Sequence, residues 1–119
     1  MHTIMPGMVT EKGKPVLSFG VMGGDYQPLG QGRVISAVFD HGMDLQAAVD
    51  MPRVFPGNDM LEVERSLPPE IMHGLAAKGH KLRIADDPLG GAQAIQIDHH
   101  RGVLIGASDP RKDGHAAGY

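Results

Sequence analysis

The stretch from Pro15 to Arg53, PVLSFGVMGGDYQPLGQGRVISAVFDHGMDLQAAVDMPR, constrains the fold of this chain more than any other. It opens as a short apolar strand, Val16-Leu17-Ser18-Phe19, breaks at Gly20 and sets two glycines side by side at Gly23-Gly24. A polar turn containing Pro28 and Gly30 follows, and a helical pattern begins near Gln31. Backbone without Cβ atoms adopts positive φ and admits close approach to its N–H groups. Two successive amides aimed at one point can hold a developing oxyanion or a bound anion. A ligand-free tight connection uses the same residues, because glycine pairs are ordinary turn formers. The pair alone leaves both readings open.

The flanking chain reads as short elements. Met5–Thr10 and Pro15–Phe19 surround the charged turn Glu11-Lys12-Gly13-Lys14, the pattern of a β-hairpin. Over Gln31–His41, Val34, Ile35, Val38 and Phe39 form the stripe of a helix with one buried face, and Gly42 is placed to stop it. Asp44 is positioned to cap a second helix, Leu45–Asp50, which Pro52 ends. Two short strands, Arg53–Phe55 and Leu61–Glu64, flank Pro56-Gly57-Asn58-Asp59. Ser66 is expected to cap a third helix with Pro68 and Pro69 in its first turn and Ile71, Met72, Leu75 and Ala76 on its buried face. Lys81–Ala85 reads as a strand, and Ala92–Asp98 with Val103–Ala107 as a closing hairpin. Tyr119, at the end of a polar tail, could tuck back into the core. The expected class is α+β, with about six or seven strands mostly in hairpins and three helices.

Composition narrows the partners. A chain of 119 residues is one domain or part of one. Aromatics are only 4%, so the core must come from Val, Ile, Leu, Ala and the eight Met. A net charge of −3 with both signs interspersed provides no basic stripe for nucleic acid. No apolar run is long enough to span a bilayer, and the first residues do not read as a signal peptide. Without cysteine there is neither disulfide nor thiol catalysis, and the compartment stays undefined.

Other chemistries find weaker support. The seven histidines (His2, His41, His73, His80, His99, His100 and His115) are scattered, with no i, i+4 pair and no HExxH, so neither metal nor cofactor is expected. His99-His100 beside Arg101 reads as a solvated turn. Ser18, Ser36, Ser66 and Ser108 all lie outside a G-x-S-x-G elbow. Gly30-Gln31-Gly32 is half of a dinucleotide fingerprint, without the third glycine. Asp109 and Arg111, in Ser108-Asp109-Pro110-Arg111, are close enough to pair, and a structural anchor fits them better than catalysis.

Several of these segments together resemble the C-terminal part of the small subunit of gamma-glutamyltranspeptidases. They are the strand–Gly-Gly–helix unit, DHGMDLQAAVDMPR, LEVE, AAKGHKL, GGAQAI and the terminal GVLIGASDPRKDGHAAGY. The order is that of the family, nearly end to end, and the opening from His-Thr through PGM to VMGGD is most similar to its bacterial gamma-glutamyltransferase-like branch. The resemblance implies part of an αββα N-terminal-nucleophile hydrolase sandwich. In that family a precursor cleaves itself to expose a threonine, which attacks a gamma-glutamyl amide of the glutathione type. Water or an amine then takes the acyl group from the acyl-enzyme.

By the same resemblance, Gly23 and Gly24 match the oxyanion-hole pair. His2 and Thr3 fall where well-known members carry two serines that hold the substrate carboxylate. Thr3 keeps a hydroxyl and His2 does not. Arg53, Asp109 and Arg111 match positions that support the site. Neither Thr3 nor Thr10 matches the nucleophile motif, so the threonine and the large subunit are expected upstream of Met1. Residues 1–119 then form an incomplete C-terminal segment, inactive alone. The alternative is a non-catalytic truncated module that folds and self-associates. Either way, uncovered sheet edges and faces point to a homo-oligomer.

Overall fold

The computed structural model describes residues 5–118, which divide into two compact units. The first comprises the chain up to Met51 together with the chain from Gly90 on, and the second is Pro52–Leu89.

In the first unit, β1 (Pro6–Glu11) and β2 (Lys14–Met22) form the expected hairpin, and β6 (Gly91–Asp98) and β7 (Val103–Ser108) form the closing one. β2 pairs with β6, giving one antiparallel sheet in the order β1-β2-β6-β7. Alternation assigns the two faces of this sheet. Leu17, Phe19 and Val21 of β2 are buried on one side with Ala92, Ala94 and Ala107. Against this face pack α1 (Gln27–Ile35) and α2 (Leu45–Asp50), contributing Val34, Leu45, Ala48 and Val49 to the core. Alanine at three sheet positions leaves room for the helices to approach. The other face carries Met8 (63% exposed), Met22, Ile95 and Leu104 (69% exposed). Met8, Ser18, Ile95 and Gly106 stand in one row across all four strands.

α1 starts four residues earlier than the apolar stripe predicts. Gly30, which reads as a turn residue, lies inside the helix together with Gly32. The stripe is also displaced. Ser36–Asp40 forms a π-helical turn with His41 N–H donating to Ser36 O at 3.1 Å, and within it Ala37 is buried while Phe39 is exposed. A wider turn rotates whatever follows it relative to a 3.6-residue face. Asp44 caps α2 as expected, its carboxylate accepting from Gln46 N at 3.0 Å and Ala47 N at 3.1 Å.

In the second unit, β3 (Val54–Pro56) pairs antiparallel with β4 (Leu61–Val63), and β4 pairs parallel with β5 (Leu82–Ile84). The parallel pair is the exception in a fold expected to be mostly hairpins. It arises because α3 (Pro69–Ala77) lies between β4 and β5 as a crossover. Ser66 does not cap α3. A residue before proline is pushed out of the helical region, so Pro68, preceding Pro69, takes ψ 136° and becomes the N-cap. α3 also buries no residue, and Ile71 is 47% exposed where a buried face was expected. Across the parallel pair Glu62 and Arg83 meet at 2.6 Å, a hydrogen bond that raises the Arg83 pKa above its ordinary value. Tyr119 lies outside the described residues.

Candidate functional site

β2 ends at Met22, which pairs with Gly91 at the start of β6. The next two residues leave the ladder. Gly23 has φ 127° and Gly24 φ 56°, both in territory that L side chains rarely adopt, and both are exposed. Gly23 C=O accepts from Tyr26 N at 3.0 Å, closing a 3-10 turn over Gly24–Tyr26 that leads directly into α1. Among the described residues no main-chain hydrogen bond takes up the N–H of Gly23 or Gly24 outside that turn.

What holds the turn is close packing around Tyr26, which is buried. A Cβ on Gly30 would lie 2.6 Å from the Tyr26 ring and 2.7 Å from Val21. A Cβ on Gly90 would lie 2.8 Å from the same ring, and one on Gly23 would lie 2.9 Å from Gly90 Cα. Gly30 and Gly90 therefore both close on one aromatic ring, and Gly23 closes on Gly90. Gly30 is a packing residue rather than part of a dinucleotide fingerprint. Gly90 and Gly91 open the GGAQAI segment, and nothing in that segment by itself indicates a contact with Tyr26.

Asp109 and Arg111 are brought together in the same unit. Asp109 is fully buried. Its Oδ2 accepts from Ala92 N at 2.7 Å, and its Oδ1 accepts from Arg111 N at 3.0 Å and Arg111 Nη1 at 3.1 Å. The Arg111 guanidinium then donates to Val49 O at 3.2 Å and to Asp50 O and Met51 O at 3.1 Å each. These carbonyls end α2, where a helix leaves acceptors unpaired and favours a cation. The pair thus ties the C-terminal segment to both β6 and α2. Through β6 it also reaches the glycine turn, because Ala92 adjoins Gly91, the partner of Met22. Gln46 adds a second tie, accepting from Ser108 N and donating to Ser108 O, each at 3.0 Å.

Arg53 belongs to the second unit, where it is buried with Glu64. Glu64 accepts from Arg53 N at 3.0 Å and Leu89 N at 3.1 Å, while Arg53 Nη1 donates to Leu89 O at 2.7 Å. Glu64 was not singled out from the sequence. It ends the LEVE segment as a charge following the buried Val63, where a solvated position is the usual outcome. His2 and Thr3 lie outside the described residues.

The histidine-bearing turn closes the β6–β7 hairpin. Asp98 accepts from His100 N and Arg101 N at 2.9 Å each, and these bonds, that from Arg101 foremost, lower its pKa. His99 Nε2 lies 2.7 Å from Pro15 O on an exposed surface. Among the described residues no three His, Asp or Glu side chains gather closely enough to hold a metal ion.

Comparison with known proteins supplies the family. The family model described as gamma-glutamyltranspeptidase matches residues 1–119. The chain is 38% identical to the glutathione hydrolase-like YwrD proenzyme of Bacillus subtilis, over 98% of this chain and 24% of that protein. It is 34% identical to the oxamate amidohydrolase proenzyme of Klebsiella pneumoniae, over 99% of this chain and again 24% of that protein. Among solved structures, cephalosporin acylase from Bacillus halodurans superposes with a TM-score of 0.92 at 40% identity, over 99% of this chain and 23% of that one. The gamma-glutamyltranspeptidase of Pseudomonas nitroreducens superposes with a TM-score of 0.85 at 27% identity, over all of this chain and 62% of that one. The α+β architecture is that of N-terminal-nucleophile hydrolases, and the chain spans about a quarter of the length of the relatives it matches by sequence. With the match running from the first residue to the last, this chain belongs to the gamma-glutamyltranspeptidase family.

Proposed function

We propose that this chain is an incomplete C-terminal segment of an amide-cleaving acyltransferase or hydrolase, to which it contributes the oxyanion hole and part of the substrate wall. The observation that carries the reading is the glycine pair, exposed, at positive φ and outside the β2–β6 ladder. Donors set in advance where charge will develop are among the strongest contributions to acyl-transfer catalysis. A threonine on polypeptide outside these 119 residues would attack a gamma-glutamyl amide of the glutathione type. The carbonyl oxygen, turning into an oxyanion, would be met by the Gly23 and Gly24 N–H groups. The amine departs, and water or a second amine takes the acyl group. Asp109, Arg111 and Arg53 serve as structural supports, and His2 and Thr3 as substrate-binding positions. The names of the relatives, a glutathione hydrolase-like protein, an oxamate amidohydrolase and a cephalosporin acylase, share amide cleavage and differ in acyl group.

The isolated chain is expected to release no chromophore from a gamma-glutamyl anilide above background. Turnover by these 119 residues alone would place the nucleophile among them and end this reading.

A second, non-catalytic reading has one observation in its favour. The uncovered face of the first sheet presents Met8, Met22, Ile95 and Leu104. Apolar surface of this kind is ordinarily covered, and in the isolated chain a second copy would cover it. Sedimentation at micromolar concentration is expected to report a dimer or larger species. A monomeric mass would count against it.

A further inference from the structure

Gln27 is the first residue of α1 and is 1% exposed, and among the described residues its Nε2 has no hydrogen-bond partner. Buried side-chain amides are normally satisfied, and leaving a donor unmade is costly. One helical turn further on, the same side chain at Gln31 does find a partner, donating to Met5 O at 2.5 Å. The two glutamines are four residues apart and so share a helix face. The chain satisfies one and leaves the other. Gln27 also lines a cavity of about 400 Å³ in the first unit, within the size range of small-molecule sites.

The chemistry of that cavity is specific. Its wall is mostly apolar, with Pro6, Phe19, Val21, Met22 and Ile95, and its polar side chains are Ser18, Gln27 and Gln93. Gln93 Oε1 is already taken by Ser108 Oγ at 2.5 Å. No lining residue carries a formal charge. An ammonium or carboxylate placed there would lose its hydration without an opposite charge, whereas an uncharged carbonyl needs only one donor. Met22, next to Gly23, forms part of the rim.

We infer that this cavity binds the uncharged, largely apolar amide portion of a ligand, whose carbonyl oxygen accepts a hydrogen bond from Gln27 Nε2. The assignment goes beyond the acyl-transfer reading and needs neither the nucleophile nor the oxyanion role of the glycines. It makes Gln27 a specificity-determining residue that prefers a neutral amide to a zwitterionic amino-acid headgroup.

The test is titration of the ¹⁵N-labelled 119-residue chain with hexanamide and, separately, with L-glutamine, following the Gln27 side-chain NH₂ and the Gly23 and Gly24 amides by NMR. Hexanamide is expected to shift the Gln27 NH₂ saturably and to bind at least fivefold more tightly than L-glutamine. Gln27→Met, close in volume, is expected to weaken hexanamide binding about five- to tenfold, the worth of one neutral hydrogen bond, while melting no lower than the parent. Gln27→Leu provides the same measurement should the methionine variant fold poorly. A Gln27 NH₂ unmoved at saturating hexanamide overturns the assignment, as does undiminished binding in either variant or preference for L-glutamine. The backbone amides separate the two proposals. Movement of Gly23 and Gly24 with a silent Gln27 sinks this inference and leaves the oxyanion reading standing.

Discussion

Replacing Asp109 by alanine is expected to destabilise the chain by about 3–5 kcal/mol, the usual cost of removing one partner of a buried charge pair. Asp109 is fully buried, and the Arg111 side chain is only 12% exposed. The carboxylate receives three of its donors from just two residues, Ala92 N and both the N–H and Nη1 of Arg111. Alanine would leave the Ala92 amide without this acceptor and remove the Asp109 carboxylate from beside the guanidinium. Arg111 would then hold the α2 carbonyls less firmly. Against a total stability of about 5–15 kcal/mol for a domain, this loss is a large share, and at the low end of that range it would unfold much of the population. Urea denaturation of the two chains side by side measures it. Asp109→Asn keeps an acceptor for Ala92 N or for Arg111 and should fall between the two. A loss below about 1 kcal/mol for Asp109→Ala would mean that the C-terminal segment is not fastened through this carboxylate.

The second expected result concerns the glycine pair in a protein that carries this region together with its nucleophile. Gly24→Pro removes the amide hydrogen and is expected to lower kcat about 10²–10³-fold, as for loss of one oxyanion donor. Proline also cannot adopt φ 56°, so the change needs a companion that perturbs the backbone and keeps the donor. Gly24→Ala is that companion. No atom lies within 4 Å of the added Cβ, so its main cost is the left-handed backbone, about 1–2 kcal/mol of folding stability. It retains the N–H and should retain most of the turnover. Gly23→Ala should be worse than Gly24→Ala for folding, because its Cβ meets the backbone of Gly90 rather than open space. Full turnover in Gly24→Pro would rule out the pair as the oxyanion hole. Equal losses in Gly24→Pro and Gly24→Ala would assign the effect to the bend rather than to the donor.

The elements that could be read along the chain are those whose causes are local. Asp44 accepts hydrogen bonds from residues two and three positions on, so its role as the α2 cap needs nothing distant. The β1–β2 and β6–β7 hairpins have their turns between them. The pairing of Asp109 with Arg111 spans two residues, and an anchor was the favoured reading. Errors came where one local rule overrode another. Ser66 offers a hydroxyl at a plausible cap, yet the steric rule for a residue before proline moves the helix start to Pro69. The stripe over Gln31–His41 assumed an unbroken α-helix, and a π turn displaced it. The expected burial of Ile71 and its neighbours on α3 failed for a different reason: amphipathic spacing selects a face without supplying anything to cover it.

The amino-acid order by itself determined that a strand gives way at two glycines, because glycine takes the positive φ found there with the least strain. Together with the motifs around them, it was enough to indicate the family. What the pair is packed against, and what Gln27 and Glu64 face, depended on chain brought from far away. Gly90 closes on Gly23 and Tyr26 across more than sixty intervening positions, and Leu89 N completes the shell of Glu64. Hydrogen-bond satisfaction and steric fit are properties of positions in space. A glutamine or glutamate in a sequence looks the same whether its partner is present or missing, and only the folded chain distinguishes the two.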